Sequence, residues 1–310
     1  SPEEALAIDK ATNTTFWHDA IQKEMKNVMV AFKPLGHGAL PPVGYKWIKC
    51  HIIFDVRMDF ERKARFVAGG HMTDPPTTLT YSSVVSRDSI RIAFLLAALN
   101  DLDILAADVG NAYLNAPTRE KVYTTAGTEF GAEIQGQYVL IVRALYGLKS
   151  SGAAWRAHLA NTLHSMGFTS SLADPDVWFR AAVKPNGFEY YEYILAYVDD
   201  ILAISHNPEK ILLNLADFYR LKNGYAAPTR YLGAQVKQWR FPHDSIKPRW
   251  ALSSEQYIKE AIKNIEQALA QENRVLKKNK QPFSTDYYPE LDDTVLLNDE
   301  ETNYYQSQVS

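Results

Sequence analysis

The sequence predicts an α+β fold in which helices pack against an antiparallel sheet. Some segments place apolar residues at helical spacing, and others are short apolar runs bounded by turn residues. In chain order they predict helix, hairpin, helix, strand, strand, helix, hairpin, helix, strand and helix. The 310 residues are 46% hydrophobic and 22% charged, which is typical of a globular chain.

The N-terminal hundred residues predict two helices separated by a hairpin. Apolar residues at helical spacing predict one amphipathic helix within residues 1–40, followed by a loop rich in proline and glycine. Residues 45–54 and 65–67 flank a polar turn and predict a β-hairpin that carries basic residues. Residues 86–100 predict a second helix with one apolar face.

The rest of the chain predicts most of the sheet and three further helices. In order, we expect strands over 102–109 and 138–143, a helix over 150–166, a hairpin from 190–198 and 201–204, a helix over 208–221, a strand over 231–239 and a helix over 253–270. The tail after about residue 280 is acidic and rich in tyrosine, and we expect it to be poorly packed.

We expect neither a membrane span nor a disulfide. The longest uninterrupted apolar run, 92–99, has eight residues, whereas a membrane span needs about 20. Cys50 is the single cysteine, so an internal disulfide and a cysteine zinc cluster are both excluded. With no secretory signal after Ser1, these features predict an intracellular protein with no membrane and no disulfide partner.

Charge is distributed unevenly along the chain. The net charge is −3, yet residues 46–65 hold six Lys or Arg against three acids, and residues 286–301 hold seven acids without Lys or Arg. A strongly basic balance is usual for a nucleic-acid binder, so the net charge counts mildly against that class. A local basic patch can still meet phosphate, because the patch and not the average makes the contact.

Three aspartates are the strongest candidates for chemistry. Asp108 ends an apolar strand, and Asp199 and Asp200 separate the two apolar runs of the second hairpin. Carboxylates brought together among core residues repel one another, and a divalent cation such as Mg²⁺ removes that cost. Two such ions activate a hydroxyl and stabilise a leaving group in one in-line displacement. The plainer interpretation also stands, because Asp-Asp is a good hairpin turn and a lone Asp often starts a turn.

Taken jointly, the motifs resemble the reverse transcriptase of Ty1/copia-type retrotransposons. The resemblance covers roughly residues 16–265, in the order and spacing of that family. Its segments are KARFVAGG (63–70), YSSVVSRDSIRIAFLLAA (81–98), DVGNAYLNAP (108–117), RALYGLKSSGAAW (143–155), LAYVDDILAI (195–204), YLGAQV (231–236) and LSSEQYIKEAI (252–262).

The resemblance implies a right-hand polymerase fold with fingers, palm and a partial thumb. It implies an N-terminal helix and entry to the fingers over 1–45, fingers and first palm helix over 46–100, and palm with interleaved fingers elements over 101–245. A partial thumb then covers 246–280, and the acidic tail 281–310 leads toward an RNase H domain that is absent. The implied activity is RNA-directed DNA polymerisation, with deoxynucleotides added to a primer 3′ end.

The resemblance also assigns metal ligands and nucleotide contacts. Asp108, Asp199 and Asp200, with the Val109 carbonyl, would bind two Mg²⁺ ions, for which Mn²⁺ is a possible substitute. Catalysis would consist mostly of positioning and charge stabilisation. The contacts to the incoming nucleotide would come from Lys63, Arg65, Val109, Tyr113, Gly147 and Lys149, with Tyr113 as a steric gate against a ribose 2′-hydroxyl.

Each of these assignments has a structural alternative. Tyr113 fits an ordinary core aromatic, and Arg65 fits a solvated hairpin face. Gly147 permits close backbone approach but also suits the start of a helix. Lys222 matches a lysine that would donate a proton to pyrophosphate, and a surface helix lysine explains it equally well. Tyr231, Leu232 and Gly233 match the segment that grips the primer.

Residues 150–153 depart from the family pattern. Ser150, Ser151, Gly152 and Ala153 stand where the family usually has Gln, Ala, Pro and Arg. Two rival functions therefore stay open: a silent element that only binds nucleic acid, and an unrelated Mg²⁺-dependent phosphohydrolase that uses the same acids.

The expected partners follow from the resemblance. They are an RNA or DNA template-primer, deoxynucleoside triphosphates, and the rest of a Gag-Pol polyprotein with its integrase and RNase H. The expected location is a cytoplasmic virus-like particle, with the nucleus as a further site. The resemblance also implies a role in an element that integrates as DNA.

Overall fold

The computed structural model describes residues 1–56, 60–72, 80–232, 234–239, 249–271, 273–276 and 295–309. The helices of the described chain are α1 Pro2–Thr12, α2 Phe16–Val28, α3 Arg87–Asn100, α4 Ser151–Ser165, α5 Pro208–Ala216, α6 Glu255–Gln271 and α7 Asp299–Val309. The strands of its N-terminal half are β1 Phe32–Pro34, β2 Lys46–Trp47, β3 Cys50–Val56, β4 Arg62–Ala68, β5 Asp103–Val109, β6 Val122–Thr125 and β7 Tyr138–Ile141. Those of its C-terminal half are β8 Thr169–Ser170, β9 Val177–Val183, β10 Glu189–Tyr197, β11 Asp200–Ser205, β12 Leu221–Ala226, β13 Arg230–Tyr231, β14 Ala234–Trp239 and β15 Arg249–Ser253.

The largest sheet, called here the central sheet, has the strand order β12-β5-β11-β10-β9-β8. All of its strand pairs are antiparallel. Smaller sheets have the orders β1-β7-β6-β2, β3-β4 and β13-β14-β15, and β2 with β6 is a parallel pair. Helices against antiparallel strands confirm the predicted α+β class.

The central sheet is buried by α4 and α5. Ile201 and Ile194 are fully buried on neighbouring strands, and Trp155 and Leu163 of α4 belong to the same apolar cluster. Leu215 of α5 is also fully buried there. Burying a side chain of this size stabilises the fold by about 1.5–3 kcal/mol, so this cluster gives the strands of the site a rigid support.

A second apolar cluster joins α2 to the hairpin β3-β4. Val28 of α2 and Phe66 of β4 are buried together with Phe32 and Phe130. The ring of Phe66 meets that of Phe32 edge-on at 5.6 Å and that of Phe130 at 5.5 Å. Edge-to-face pairs add about 0.5–1.5 kcal/mol each beyond burial, and this packing fixes the face of β4 that turns away from the cluster.

The structure corrects three predicted elements. The first 40 residues form two helices, because the buried carboxylate of Asp9 accepts hydrogen bonds from the backbone N–H groups of Trp17 and His18 and so caps α2. The predicted helix 208–221 ends at Ala216 and is followed by strand β12. The predicted strand 231–239 corresponds to the end of β13 and to β14. The C-terminal tail contains helix α7, and its described residues are mostly exposed.

The chain divides into two compact units, residues 1–227 and 228–310. The first unit contains the central sheet, and the second contains β13-β14-β15 and α6. The finer predicted division into fingers, palm and thumb stays a prediction, and residues 277–294 of the predicted tail lie outside the described residues. No helix of the described chain is long and apolar enough to cross a membrane.

Candidate active site

The central sheet brings the three candidate aspartates to one end. Strand β11 pairs with β5 so that Asp200 lies directly opposite Asp108. Tyr197 pairs with Asp200 across the β10-β11 hairpin, so Asp199 lies in its two-residue turn. On the other side of β5, Lys222 of β12 lies opposite Asp108. The register of three strands therefore gathers groups that are far apart in the sequence.

The turn that carries Asp199 is held in an unusual conformation. Val198 has a φ of 55°, which is uncommon for a β-branched residue. The indole N–H of Trp155 donates a 2.8 Å hydrogen bond to the carbonyl oxygen of Val198. The backbone N–H of Val109 donates another of 2.8 Å to the carbonyl of Asp199. Such conformations persist only where surrounding contacts hold them, and they concentrate at functional sites.

The electrostatics of this end are repulsive. Burial raises the pKa of Asp199, and the negative charge of Asp108 adds to that rise. Burial likewise raises the pKa of Asp200, with further contributions from the charges of Asp199 and Asp108. The positive charge of Lys222 opposes both shifts. The site therefore holds more negative charge than its own residues neutralise, and a bound cation would stabilise it.

Lys222 is part of this arrangement. Its ammonium donates a 2.9 Å hydrogen bond to Oδ2 of Asp108. The alternative of a surface helix lysine is wrong, because residue 222 lies in strand β12. Its side chain is 51% exposed and that of Asp108 is 34% exposed, so the pair is accessible to solvent and can open without a large loss of stability.

The donor set suits a hard divalent cation. Within the described residues, no group of three or more His, Cys, Asp or Glu side chains is arranged closely enough to hold a metal ion. The three carboxylates nevertheless supply the oxygen ligands that Mg²⁺ prefers. A bound cation would relieve their crowding against one lysine, so the chemistry of these residues suits a divalent ion although their side chains are not closed around one.

The basic hairpin β3-β4 presents two candidate phosphate ligands. Ala64 and Phe66 of β4 are buried, whereas Lys63 and Arg65 alternate with them and are half-buried. The charge of Lys63 lowers the pKa of Asp199, so the two groups are near each other. The guanidinium of Arg65 lies 5.8 Å from the ring centre of Tyr146. Arg65 therefore faces an aromatic residue while it stays partly exposed on the hairpin face, and its contact with the nucleotide stays a prediction.

Glu24 supports this hairpin and was not found from the sequence. Its carboxylate accepts a 2.9 Å hydrogen bond from the backbone N–H of Phe66. Burial raises the pKa of Glu24, and the positive charges of Lys63 and Arg65 oppose that rise. No spacing in the sequence signals a contact between residues 24 and 66, because it arises only when α2 packs on β4.

Tyr113 and Tyr146 form an aromatic pair beside the aspartates. Their ring centres are 4.8 Å apart. Burial and the charge of Asp199 raise the pKa of Tyr113, and burial followed by Asp199 raises the pKa of Tyr146 to about 12. Tyr113 is half-buried and packs against the apolar cluster beneath the central sheet, which agrees with the alternative of a core aromatic, and its role as a steric gate stays a prediction. Tyr146 was missed, although an aromatic residue directly before Gly147 in RALYGLK was an available signal.

Gly147 packs the segment RALYGLKSSGAAW (143–155), called here the nucleotide-side segment, against the hairpin β3-β4. It has a φ of +91°, and a Cβ there would lie 2.0 Å from the carbonyl oxygen of Ala68. The backbone N–H of Ala68 donates a 2.8 Å hydrogen bond to the carbonyl of Tyr146. Only glycine fits this close approach. Lys149 is half-buried at the end of the same segment, and its nucleotide contact stays a prediction.

The unusual residues 150–153 are well accommodated. Oγ of Ser151 donates a 2.7 Å hydrogen bond to the carbonyl of Leu145 and accepts one of 3.0 Å from its N–H. The hydroxyl of Ser150 donates a 2.5 Å hydrogen bond to the carboxylate of Glu120. The departure from the family pattern therefore comes with its own hydrogen bonds.

The predicted primer-grip residues lie in the second unit. Tyr231 is buried at the end of β13, where it pairs with Ala234 of β14. Leu232 follows it with a φ of 46°. Gly233 lies outside the described residues. The role of all three residues stays a prediction.

Comparison with known proteins agrees with this geometry. Residues 32–275 match the family model described as reverse transcriptase (RNA-dependent DNA polymerase). The retrovirus-related Pol polyprotein from transposon RE1 of Arabidopsis thaliana is 31% identical over 209 residues, which are 64% of this chain and 14% of that protein. The corresponding polyprotein from transposon TNT 1-94 of Nicotiana tabacum is 26% identical over 257 residues, 79% of this chain and 18% of that protein.

A solved structure is also similar. The foamy viral protease-reverse transcriptase dRH in complex with ds DNA matches with a TM-score of 0.42 and 15% identity, over 94% of this chain and 47% of that chain. This chain spans less than a fifth of the two polyproteins above. The family match confirms the resemblance. The chain belongs to the reverse transcriptase (RNA-dependent DNA polymerase) family, and it resembles the reverse transcriptase segments of Ty1/copia-type Pol polyproteins.

Proposed function

We propose that this chain is an RNA-directed DNA polymerase that adds deoxynucleotides to a primer 3′ end. The observation that carries the proposal is the register that sets Asp108 opposite Asp200, with Asp199 in the adjoining turn. Three acids crowded at one end of a rigid sheet are suited to phosphoryl chemistry, in which catalysis is mainly positioning and charge stabilisation.

Reverse transcriptases use divalent metal ions as a family. In this chain two Mg²⁺ ions, or Mn²⁺ in their place, would be held by Asp108, Asp199, Asp200 and the Val109 carbonyl. When bound, such ions make the primer hydroxyl a better nucleophile and neutralise the leaving pyrophosphate. The buried sheet beneath these residues keeps them in place without rearrangement.

The incoming nucleotide would occupy the space beside the tyrosine pair. Arg65 and Lys63 would bind its phosphates, since the planar guanidinium grips phosphate oxygens at two points. The ring of Tyr113 would lie under the sugar and exclude a ribose 2′-hydroxyl, with Tyr146 packed against it. Gly147 and Lys149 would complete the pocket from the nucleotide-side segment.

Lys222 would hold the proton that pyrophosphate takes up as it leaves. Its Nζ already lies 2.9 Å from Asp108, and a metal ion bound by that carboxylate would compete for the same oxygen. The lysine would then be available to the phosphates. Tyr231, Leu232 and Gly233 would hold the primer backbone.

The partners would be an RNA or DNA template-primer, deoxynucleoside triphosphates and the remainder of a Gag-Pol polyprotein. Resemblance to polyprotein segments supports this context. We place the protein inside the cell, in a virus-like particle. Fractionation of expressing cells tests that location.

Primer extension tests the polymerase activity directly. The chain, with a primed RNA template, deoxynucleotides and Mg²⁺, should extend the primer, and Asp199→Asn should lower the rate by about 1,000-fold or more, because several kcal/mol of charge stabilisation are lost. Extension by Asp199→Asn at the wild-type rate contradicts the proposal. Salt-sensitive binding of the template-primer without any incorporation would instead support the silent element.

Replacement of Tyr113 tests the nucleotide pocket. Tyr113→Ala should raise incorporation of ribonucleotides relative to deoxynucleotides by about 10-fold or more, because a clash of a few kcal/mol is removed. Tyr123→Ala, which alters a half-buried tyrosine of β6 outside the pocket, should leave this ratio unchanged. An unchanged ratio in Tyr113→Ala contradicts the role of a steric gate.

A further inference from the structure

A cavity of about 470 Å³ lies beside the strands that carry Asp108 and Lys222. Gly110 and Asn111, which directly follow strand β5, form one part of its lining. Residues 218–220, which directly precede strand β12, form another. The N–H of Gly110 donates a 2.9 Å hydrogen bond to the carbonyl of Arg220, which ties the two parts together. The volume of this cavity is within the range of small-molecule sites, roughly 300–1,000 Å³.

The polar side chains that line this cavity are neutral or basic. They are Asn27, Asn111, Asn115, Arg143, His158, Tyr219 and Arg220, and the amide of Asn115 already donates to backbone carbonyls. No Asp or Glu is among the described residues that line it. In a chain of net charge −3, a recess with two arginines and no acid is an unusual concentration of positive charge. Such a recess attracts anions.

The two arginines are suited to bind a ligand. Nη1 of Arg143 donates a 3.0 Å hydrogen bond to the carbonyl of Asn115, which fixes the guanidinium in the wall. The guanidinium of Arg220 is exposed, and within the described part of the chain it has no ion pair or hydrogen bond. One arginine is therefore pre-positioned, and the other has all of its donors available.

His158 adds a neutral group to the cavity. Its ring lies edge-on to that of Tyr219 at 5.8 Å and near that of Trp155 at 6.2 Å. Burial and then the charge of Arg143 lower its pKa. The imidazole is therefore uncharged at neutral pH, and it can donate one N–H without adding to the repulsion between the arginines.

We infer that this cavity binds a small phosphoryl anion, such as inorganic pyrophosphate or the phosphates of a free nucleoside triphosphate. Planar guanidinium groups grip phosphate oxygens at two points, and side-chain amides supply further donors. The lining of this cavity does not include Lys63, Arg65, Tyr113 or Tyr146, so its anion contacts would differ from those of the proposed nucleotide pocket. The inference does not depend on polymerase activity, because this binding requires neither metal nor primer.

Titration of the full chain with inorganic pyrophosphate tests the inference, with EDTA present and calorimetry or phosphorus NMR as the readout. Arg220→Gln should weaken binding by about tenfold or more, because a charge-assisted contact is lost. Arg143→Lys should weaken it severalfold, because the charge remains and the fork is lost. Arg91→Gln, which alters an exposed arginine of α3 outside both sites, is the matched control and should bind as the wild type does. Arg65→Gln is measured beside it to detect binding at the proposed nucleotide pocket.

The outcomes separate the ligand sources and the competing sites. Equal affinity for pyrophosphate and dATP would identify the phosphates as the recognised group, whereas tighter binding of dATP would identify the nucleotide. Absence of binding in the wild type overturns the inference, as does binding that depends on Arg65 and not on Arg220. The inference is also overturned if Arg220→Gln weakens binding of a single-stranded oligonucleotide but not of pyrophosphate. Unchanged unfolding midpoints of the variants exclude misfolding as the cause of weaker binding.

Discussion

The two ends of the β10-β11 hairpin differ in how their acidic side chains are paired. At one end, Glu192 is buried, with only 9% of the residue exposed. It accepts a 2.8 Å hydrogen bond from Nε of Arg180 and one of 2.6 Å from Oγ of Ser205. At the other end, Asp199 and Asp200 crowd against Asp108. Glu192 has an arginine of its own, whereas the three aspartates share the positive charge of Lys222, which donates to Asp108.

The comparison shows how one hairpin separates stability from function. A buried acid with a charged partner and hydrogen bonds maintains the fold. Acids that repel one another reduce stability and are kept where a ligand relieves the repulsion. The four predictions below test this contrast, from the largest expected effect to the smallest.

The largest effect is expected on activity at the two ends of strand β5. Asp108→Asn should lower primer extension by about 1,000-fold or more, because it removes a charge from the site of phosphoryl transfer. Asp103→Asn alters an exposed aspartate at the other end of the same strand and should leave the rate unchanged. Equal losses of primer extension in the two variants would contradict a special role for the end of β5 that carries Asp108.

The next effect is on stability at the paired acid. Glu192→Gln should lower the free energy of unfolding by about 2 kcal/mol, because a charge-assisted hydrogen bond to Arg180 is lost. Urea denaturation measures this, and Glu189→Gln at the exposed start of β10 is the control. Activity per folded molecule should be unchanged. A loss of activity without a loss of stability would contradict the division between the two ends.

The third effect is a pH-dependent gain of stability at the crowded acids. Because Asp200 has a raised pKa in the folded state, the folded protein binds more protons than the unfolded one between the two pKa values. Its ionisation therefore lowers stability as pH rises through that window. Asp200→Asn should raise the unfolding midpoint at pH 7, and the gain should shrink as pH falls toward the ordinary value of 3.8.

Thermal unfolding of both proteins from pH 7 down to pH 4 measures this gain. Asp103→Asn, at an exposed position, should show no such pH-dependent gain. Mg²⁺ should raise the midpoint of the wild type more than that of Asp200→Asn, since a bound cation relieves the same repulsion. A destabilised Asp200→Asn at pH 7 would contradict the repulsive site.

The smallest effect is expected at the ion pair of the site. Lys222→Met should change the free energy of unfolding by less than about 1 kcal/mol, because the lysine side chain is 51% exposed. Lys210→Met, an exposed lysine of α5, is the control. Urea denaturation of the three proteins makes the comparison. A loss of several kcal/mol would show that Lys222 is a structural partner like Arg180.

Local signals in the sequence were enough to find the strands of the candidate site. An apolar strand ending in Asp108 and two apolar runs around Asp199 and Asp200 specify strands by their own composition. The antiparallel pairing of the two runs then follows from the short hairpin connection. The pattern therefore places Asp199 and Asp200 at a hairpin tip, whereas the position of Asp108 beside them was implied by the resemblance to the family.

Contacts between distant segments were not available in the same way. The cap of α2 by Asp9 depends on a chain reversal, so periodicity predicts only one of the two helices within residues 1–40. Lys222 falls in a strand because it completes the edge of a sheet whose other members lie far away in the sequence. Glu24 and Tyr146 join the site only through tertiary packing, and local propensity carries no record of that packing.

The left-handed valine at the hairpin tip has a consequence for how mutations act at a distance. Its conformation disfavours the folded tip by about 1–3 kcal/mol, and an indole from α4 anchors it. Trp155→Phe would keep most of the ring volume in the interior yet release that anchor. The aspartates would then move out of alignment in a molecule that still folds, so an interior substitution would abolish the proposed activity without unfolding the chain.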